Sequence, residues 1–154
     1  MKDYERLLKQ VLEKELVFLD KAFNHLEFSL EKVKKINLSD HLEDDALELL
    51  DSFATRFLRL YEVLVHQALR TVLQLLGEFE KTTIDNLNKA EKLELITSAD
   101  DFNYIRLLRN KVAHEYAEDE WKEIYSEIII YSSHLIISTE KLKDFVRERG
   151  WFID

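Results

Sequence analysis

The sequence predicts an all-α protein in which about five helices form an up-and-down bundle. The chain contains no proline and only two glycines, so few residues favour the tight turns that join strands. Apolar residues recur at helical spacing along most of its length. Hydrophobic residues make up 46% and charged residues 34% of the 154 residues, which is typical of a globular chain. We therefore expect residues 1–154 to form one domain around one core.

The first predicted helix extends from about Asp3 to Lys35. Its apolar positions alternate spacings of four and three residues, which predicts a single stripe facing one partner. They are Leu12, Leu16, Leu19, Phe23, Leu26, Leu30 and Val33. Polar residues then interrupt the pattern, and we expect Ser39 or Asp40 to cap the next helix.

The second predicted helix extends from about His41 to Leu76, and Gly77 is expected to end it in a left-handed conformation. It carries two apolar stripes, which indicates burial on two sides. At about 1.5 Å per residue it would be about 50 Å long, so we expect a bend or an interruption.

Two shorter helices are predicted next. One covers about Thr83 to Leu95, and the other begins at Ser98 and extends to about Tyr116. Asp101 lies three residues after Ser98, which approximates a capping box.

The last predicted helix extends from about Trp121 to Arg149 and ends at Gly150. The β-branched residues Ile128–Ile130 could favour a strand, but the apolar spacing around them is helical. Three further apolar residues lie off the main stripe, which leaves open a thick core or a homodimer interface along the last two helices. These residues are Ile129, Ile136 and Ile137. The tail beginning at Trp151 is expected to fold back on the bundle.

Composition narrows the class of protein. The absence of cysteine excludes disulfides and thiolate metal sites, and it suits a reducing cytosol. The N-terminal segment lacks a signal-peptide pattern, and the most apolar stretch, Ile128–Ile137, is too short to span a bilayer. We therefore expect a cytoplasmic protein without a membrane partner. The net charge of −9 disfavours broad, non-specific binding of nucleic acid.

One segment departs from this acidic background. Residues 102–114 contain no acid, whereas Arg106, Arg109 and Lys111 are basic. Bases near a helix C-terminus can simply complement the macrodipole. Asn110 and His114 are four residues apart and can touch. Arg109 and His114 differ by roughly 140° on an ideal helix, so they can converge only if the helix loosens or a two-fold partner supplies a second set.

The segment Arg109–Tyr116, with the sequence RNKVAHEY, resembles the signature of HEPN domains, and most closely that of HepT toxins. Phe53–Glu62, with the sequence FATRFLRLYE, also resembles the central helix of that family. The resemblance covers about residues 50–140.

The resemblance implies a metal-independent endoribonuclease without a cofactor, active as a homodimer whose two motifs face one cleft. The residue types suit that chemistry, because an imidazole can exchange protons near neutral pH and a guanidinium can stabilise phosphate charge. The implied catalytic residues are Arg109 and His114. Asn110, Lys111 and Arg106 would support substrate binding.

In HepT toxins the tyrosine of this motif is the target of a cognate minimal nucleotidyltransferase antitoxin, which attaches AMP. The resemblance assigns that role to Tyr116, where an anionic nucleotide would repel RNA and fill the cleft. Without the resemblance, Tyr116 would be interpreted as an aromatic residue at the edge of the core.

Two other functions remain open. The chain could be a non-catalytic helical subunit that helps a minimal nucleotidyltransferase to bind its substrate, or an interaction bundle without activity. Glu62 and His66 have a spacing that metal ligands use, but no second pair supports a metal site, and none is predicted.

Overall fold

A computed structural model of the chain describes residues 2–112 and 118–152. Helices form most of this part of the chain and it contains no strand, which confirms the predicted all-α class. The elements are α1 (Lys2–Val33), α2 (Asp44–Val63), a π-helical segment (Leu64–Leu69), α3 (Arg70–Leu75), α4 (Thr83–Lys92), α5 (Ala99–Val112) and α6 (Glu118–Arg149). Because α2, the π segment and α3 follow one another without a gap, they form one long helix, and the described residues contain five helical units.

The long helix is interrupted as the sequence predicts, and the interruption is the π segment Leu64–Leu69. The helix then ends at Gly77, whose φ of 70° lies in the left-handed region. The N–H of Glu78 donates to the carbonyl of Leu73 at 2.8 Å, which closes the last turn. Gly150 ends α6 in the same way, with a φ of 67°.

The expected caps agree with the structure at one helix and disagree at another. The amide of Asp101 donates to Ser98 Oγ at 3.2 Å, so Ser98 does cap α5. The prediction that Ser39 or Asp40 caps the second helix is wrong. The residue before α2 is Glu43, which makes no side-chain capping bond, and Ser39 instead bonds to Asn37. Two acids in the first turn of α2 favour the positive end of the helix dipole without a cap.

The core lies where α1 packs along the long helix and where α5 and α6 close over it. Its largest fully buried side chains include Phe53, Phe57, Tyr61 and Phe102. The predicted stripe of α1 is confirmed, since five of its seven residues are buried and the other two pack against the core. The two-sided burial of the long helix is also confirmed from Leu50 onward.

Helix α6 divides its apolar residues between the core and the surface. Ile129 and Ile136 pack partly against the core, whereas Ile130 and Ile137 are 63% and 48% exposed. A thick core therefore does not account for Ile137. The tail returns to the bundle at Trp151, which packs edge-on against Phe145. Among the helices of residues 2–112 and 118–152, none has the length and apolar character needed to cross a bilayer.

Candidate functional site

The basic residues singled out in the sequence lie on α5, whose N-terminal end is tied to α6. Thr97 Oγ1 lies 2.9 Å from Nδ1 of His134, and His134 Nε2 lies 3.5 Å from a carboxylate oxygen of Asp101. The amide of Thr97 also donates to Ser138 Oγ at 3.0 Å. His134 therefore bridges two elements, and this network fixes the start of the helix that carries Arg109.

The inner face of α5 sets the direction of its polar side chains. Phe102, Ile105 and Leu108 are fully buried and Val112 is half-buried, so these four residues form an arc that faces the core. Arg109 lies beside this arc, next to α2.

The guanidinium of Arg109 lies against the end of α2. Its Nη1 is 3.5 Å from Glu62 Oε2, and its Cζ is 5.8 Å from the ring centroid of Tyr61. The Arg109 side chain is 36% exposed and that of Glu62 is 52% exposed, so water screens their attraction. Such a pair adds at most about 1 kcal/mol to stability. Its main effect is to hold the guanidinium in a position that solvent can reach.

The Tyr61 side chain lies beneath the guanidinium of Arg109, on the side of the core. It is fully buried, and its hydroxyl has no hydrogen-bond partner among the residues that the structure describes. Burial raises the pKa of Tyr61 to about 12, although the charges of Arg106 and Arg109 act in the opposite direction. The phenol therefore remains neutral at physiological pH and presents its ring to the cation.

His66, on the π segment, lies beside the same tyrosine. The two ring centroids are 5.8 Å apart, with the rings edge to face. Partial burial is the main cause of a lowered pKa of His66, and the charge of Glu62 opposes the shift. Three guanidinium groups lower the pKa further, those of Arg109, Arg106 and Arg70. A neutral imidazole thus lies in a cationic neighbourhood, within a helix geometry that is common at functional sites.

Replacing Glu62 by glutamine should lower the pKa of His66 further, because the negative charge of the Glu62 carboxylate raises it in the wild type. In the wild type this pKa lies below the usual 6.5, so the unfolded chain binds more protons as the pH falls through 6.5. The contribution of His66 to stability is therefore present above that pH and is lost as the pH falls through the folded-state pKa. An NMR titration of the imidazole measures the shift, with exposed His25 as the internal reference. An unchanged or raised pKa in Glu62→Gln would contradict this electrostatic account.

The structure brings together some of the predicted site residues and separates others. Arg106 and Arg109 both face the Tyr61 neighbourhood. Lys111 instead lies with its Nζ 5.7 Å from the ring centroid of Tyr104, which hydrogen-bonds to α6. Asn110 is exposed on α5.

Two predicted site residues, His114 and Tyr116, lie outside the residues that the structure describes. The predicted contact between Asn110 and His114 lies outside them for the same reason.

Comparisons of the chain with protein-family models, with curated proteins and with solved structures gave no match. The HepT resemblance therefore remains a prediction, based on the motif that begins at Arg109.

Sequence reasoning missed the neighbours of Arg109 on the long helix. It considered Glu62 and His66 as a metal-ligand pair, but among residues 2–112 and 118–152 they join no group of three or more possible ligands. A usable signal was present, since Glu62, His66 and Arg70 follow at intervals of four within a stretch whose only other polar residue is Gln67. Such a polar line indicates a face that is not buried in the core.

Proposed function

We propose that the chain is a metal-independent endoribonuclease of the HepT type. The observation that carries the proposal is the environment of Arg109, the first residue of the RNKVAHEY motif. The Arg109 side chain is 36% exposed and lies with Arg106 near His66, and we call these three residues the Arg109 cluster. The protein as a whole has a net charge of −9. A cationic cluster at one place on an acidic protein favours a small number of phosphate contacts over broad binding of nucleic acid.

The contacts of Arg109 suit transition-state stabilisation. A guanidinium has five N–H donors in a planar fork, and Glu62 approaches the Nη1 nitrogen of this one at 3.5 Å. The buried Tyr61 ring lies next to the guanidinium on the side of the core. An arginine held in this way needs little reorganisation when charge develops on a phosphate oxygen, and preorganised donors of this kind give large rate effects.

In the proposed reaction His114 accepts the proton of a ribose 2′-OH, and the 2′-oxygen attacks the adjacent phosphorus. The bond to the 5′-oxygen breaks, the protonated His114 gives its proton to that oxygen, and the products are a 2′,3′-cyclic phosphate and a 5′-OH end. Arg109 stabilises the phosphate charge, while Asn110, Lys111 and Arg106 assist substrate binding. The need for a 2′-OH explains selection of RNA over DNA.

The proposal includes a homodimer and an antitoxin. The exposed Ile130 and Ile137 of α6 are apolar surface that a second copy could cover, and motifs from both copies would then face one cleft. A minimal nucleotidyltransferase would silence the enzyme by attaching AMP to Tyr116, where bulk and negative charge oppose RNA. All of these steps suit a cytoplasmic protein.

Expression of the wild type and of His114→Ala tests the proposed function. The wild type alone should slow growth, and the purified protein should cut RNA in the presence of EDTA. His114→Ala should do neither, because the proton-transfer group is missing. The matched control is His25→Ala, which removes an exposed imidazole from α1. Equal RNA cleavage by His114→Ala and the wild type would exclude His114 from the mechanism.

The net charge of −9 favours one alternative, a non-catalytic subunit that binds a nucleotidyltransferase rather than RNA. In that case the wild type would leave RNA intact in the same assay and would form a stable complex with the nucleotidyltransferase.

A further inference from the structure

A cleft of about 370 Å³ opens beside the Arg109 cluster, between the end of the long helix and the start of α4. This volume is near the lower end of the range of ordinary ligand clefts, which suits a ligand as small as one nucleotide. The side chains that line its polar and aromatic walls are His66, Arg70, Phe79, Lys81, Thr83 and Asn86. His66 lines this cleft and also lies 5.8 Å from the Tyr61 ring, which in turn lies 5.8 Å from the Cζ of Arg109, so the cleft adjoins the neighbourhood of Arg109.

The cleft combines positive charge with an aromatic surface. Arg70 and Lys81 are both exposed cations. Phe79 is 39% exposed, and the guanidinium of Arg70 lies 5.1 Å from its ring centroid. Proteins that bind single-stranded nucleic acid use this combination, because cations contact the phosphates while bases stack on aromatic rings or guanidinium planes.

The loop that carries Phe79 and Lys81 is held in place by hydrogen bonds. Asn86 Oδ1 accepts from the amide of Glu80 at 2.8 Å, and its Nδ2 donates to the Glu80 carbonyl at 3.2 Å. Thr82 Oγ1 accepts from the amide of Asp85 at 3.1 Å and so caps α4. Because bonds fix the backbone on both sides of Lys81, little order has to be gained when a ligand binds.

We propose that this cleft binds one nucleotide of single-stranded RNA, next to the phosphodiester that the Arg109 cluster would hold. The inference rests on the proposed function and adds a substrate subsite to it. The base stacks on the Phe79 ring, and the phosphate on the side away from Arg109 lies between Arg70 and Lys81.

The test measures the anisotropy of a labelled single-stranded RNA of about 12 nucleotides. The protein is the full chain carrying His114→Ala, so that the RNA remains intact. Adding Phe79→Ala should raise the Kd at least about fivefold through the loss of stacking. Adding Lys81→Gln should weaken binding and reduce the slope of log Kd against log salt by about 0.7. Arg70 also interacts with the charge of Glu15 on α1, so a change at Arg70 would alter that interaction as well as RNA binding. The variants at Phe79 and Lys81 avoid this second effect.

The matched controls are Phe28→Ala and Lys92→Gln, which remove an exposed ring and an exposed cation outside the cleft and should leave the Kd unchanged. Equal RNA binding by the cleft variants and the controls would overturn the subsite.

The EDTA cleavage assay separates this result from the proposed function. If cleavage of RNA depends on His114 but the Kd for RNA is unchanged in Phe79→Ala and Lys81→Gln, the subsite is wrong and the proposed nuclease activity is retained. If the wild type cuts no RNA but binding depends on both residues, the subsite stands and the nuclease is wrong.

Discussion

Replacing Arg109 by lysine is expected to lower kcat/KM for RNA cleavage by about 100- to 1,000-fold. Lysine keeps the charge but loses the planar fork that can contact two phosphate oxygens at once. It also loses the flat cation that lies over the Tyr61 ring. The free energy of unfolding should change by less than about 1 kcal/mol, because the contact with Glu62 is partly exposed to solvent. Single-turnover cleavage of a labelled RNA, together with urea unfolding, measures both quantities.

Arg59→Lys provides the matched control, since Arg59 is an exposed arginine of α2 that lines a different cleft. Its cleavage rate should equal that of the wild type. Wild-type activity in Arg109→Lys would show that a positive charge alone suffices at this position. It would contradict the proposal that the planar guanidinium contacts two phosphate oxygens. A large loss of stability in the same variant would instead make Arg109 a structural residue.

Replacing Phe102 by alanine is expected to reduce the free energy of unfolding by about 3–5 kcal/mol. Phe102 is fully buried, and its ring centroid lies 6.3 Å from that of Tyr61. It therefore joins α5, which carries Arg109, to the end of α2. The loss is a large part of the total stability of a typical domain. Urea unfolding followed by circular dichroism measures it.

Phe28→Ala is the comparison for this prediction, because the Phe28 ring is 59% exposed on α1. Its stability should change by no more than about 0.5 kcal/mol. A loss below about 1 kcal/mol in Phe102→Ala would mean that the cavity collapses without cost, and that α5 is attached mainly by its polar links to α6.

The helices and their buried faces could be predicted from the sequence, because both depend on local spacing. The α1 stripe from Leu12 to Val33 is an example. Capping was less predictable, since several polar residues precede α2 and only packing decides where the helix begins. Asp44 thus became the first residue of α2, although Ser39 has the better capping side chain.

The candidate site was predicted only in part. The motif on α5 could be recognised from residues adjacent in the sequence, and Arg109 does lie at a solvent-reachable cluster. Its neighbours Tyr61 and His66 lie more than 40 positions earlier, and no local pattern specifies which face of one helix meets another. Pairwise helix packing depends on how side chains interlock, and that information is not contained in the periodicity of either helix alone.

The π segment has a consequence for how this protein can change in length. A wide turn accommodates one residue more than a regular α-helical turn, so the segments on its two sides keep their buried faces despite the surplus. A related chain one residue shorter between Leu64 and Leu69 could form an unbroken α-helix, keep Val72 and Leu73 in the core, and lose the wide turn that carries His66. Deletion of a single codon could therefore alter the chemistry of the cluster while leaving the scaffold in place.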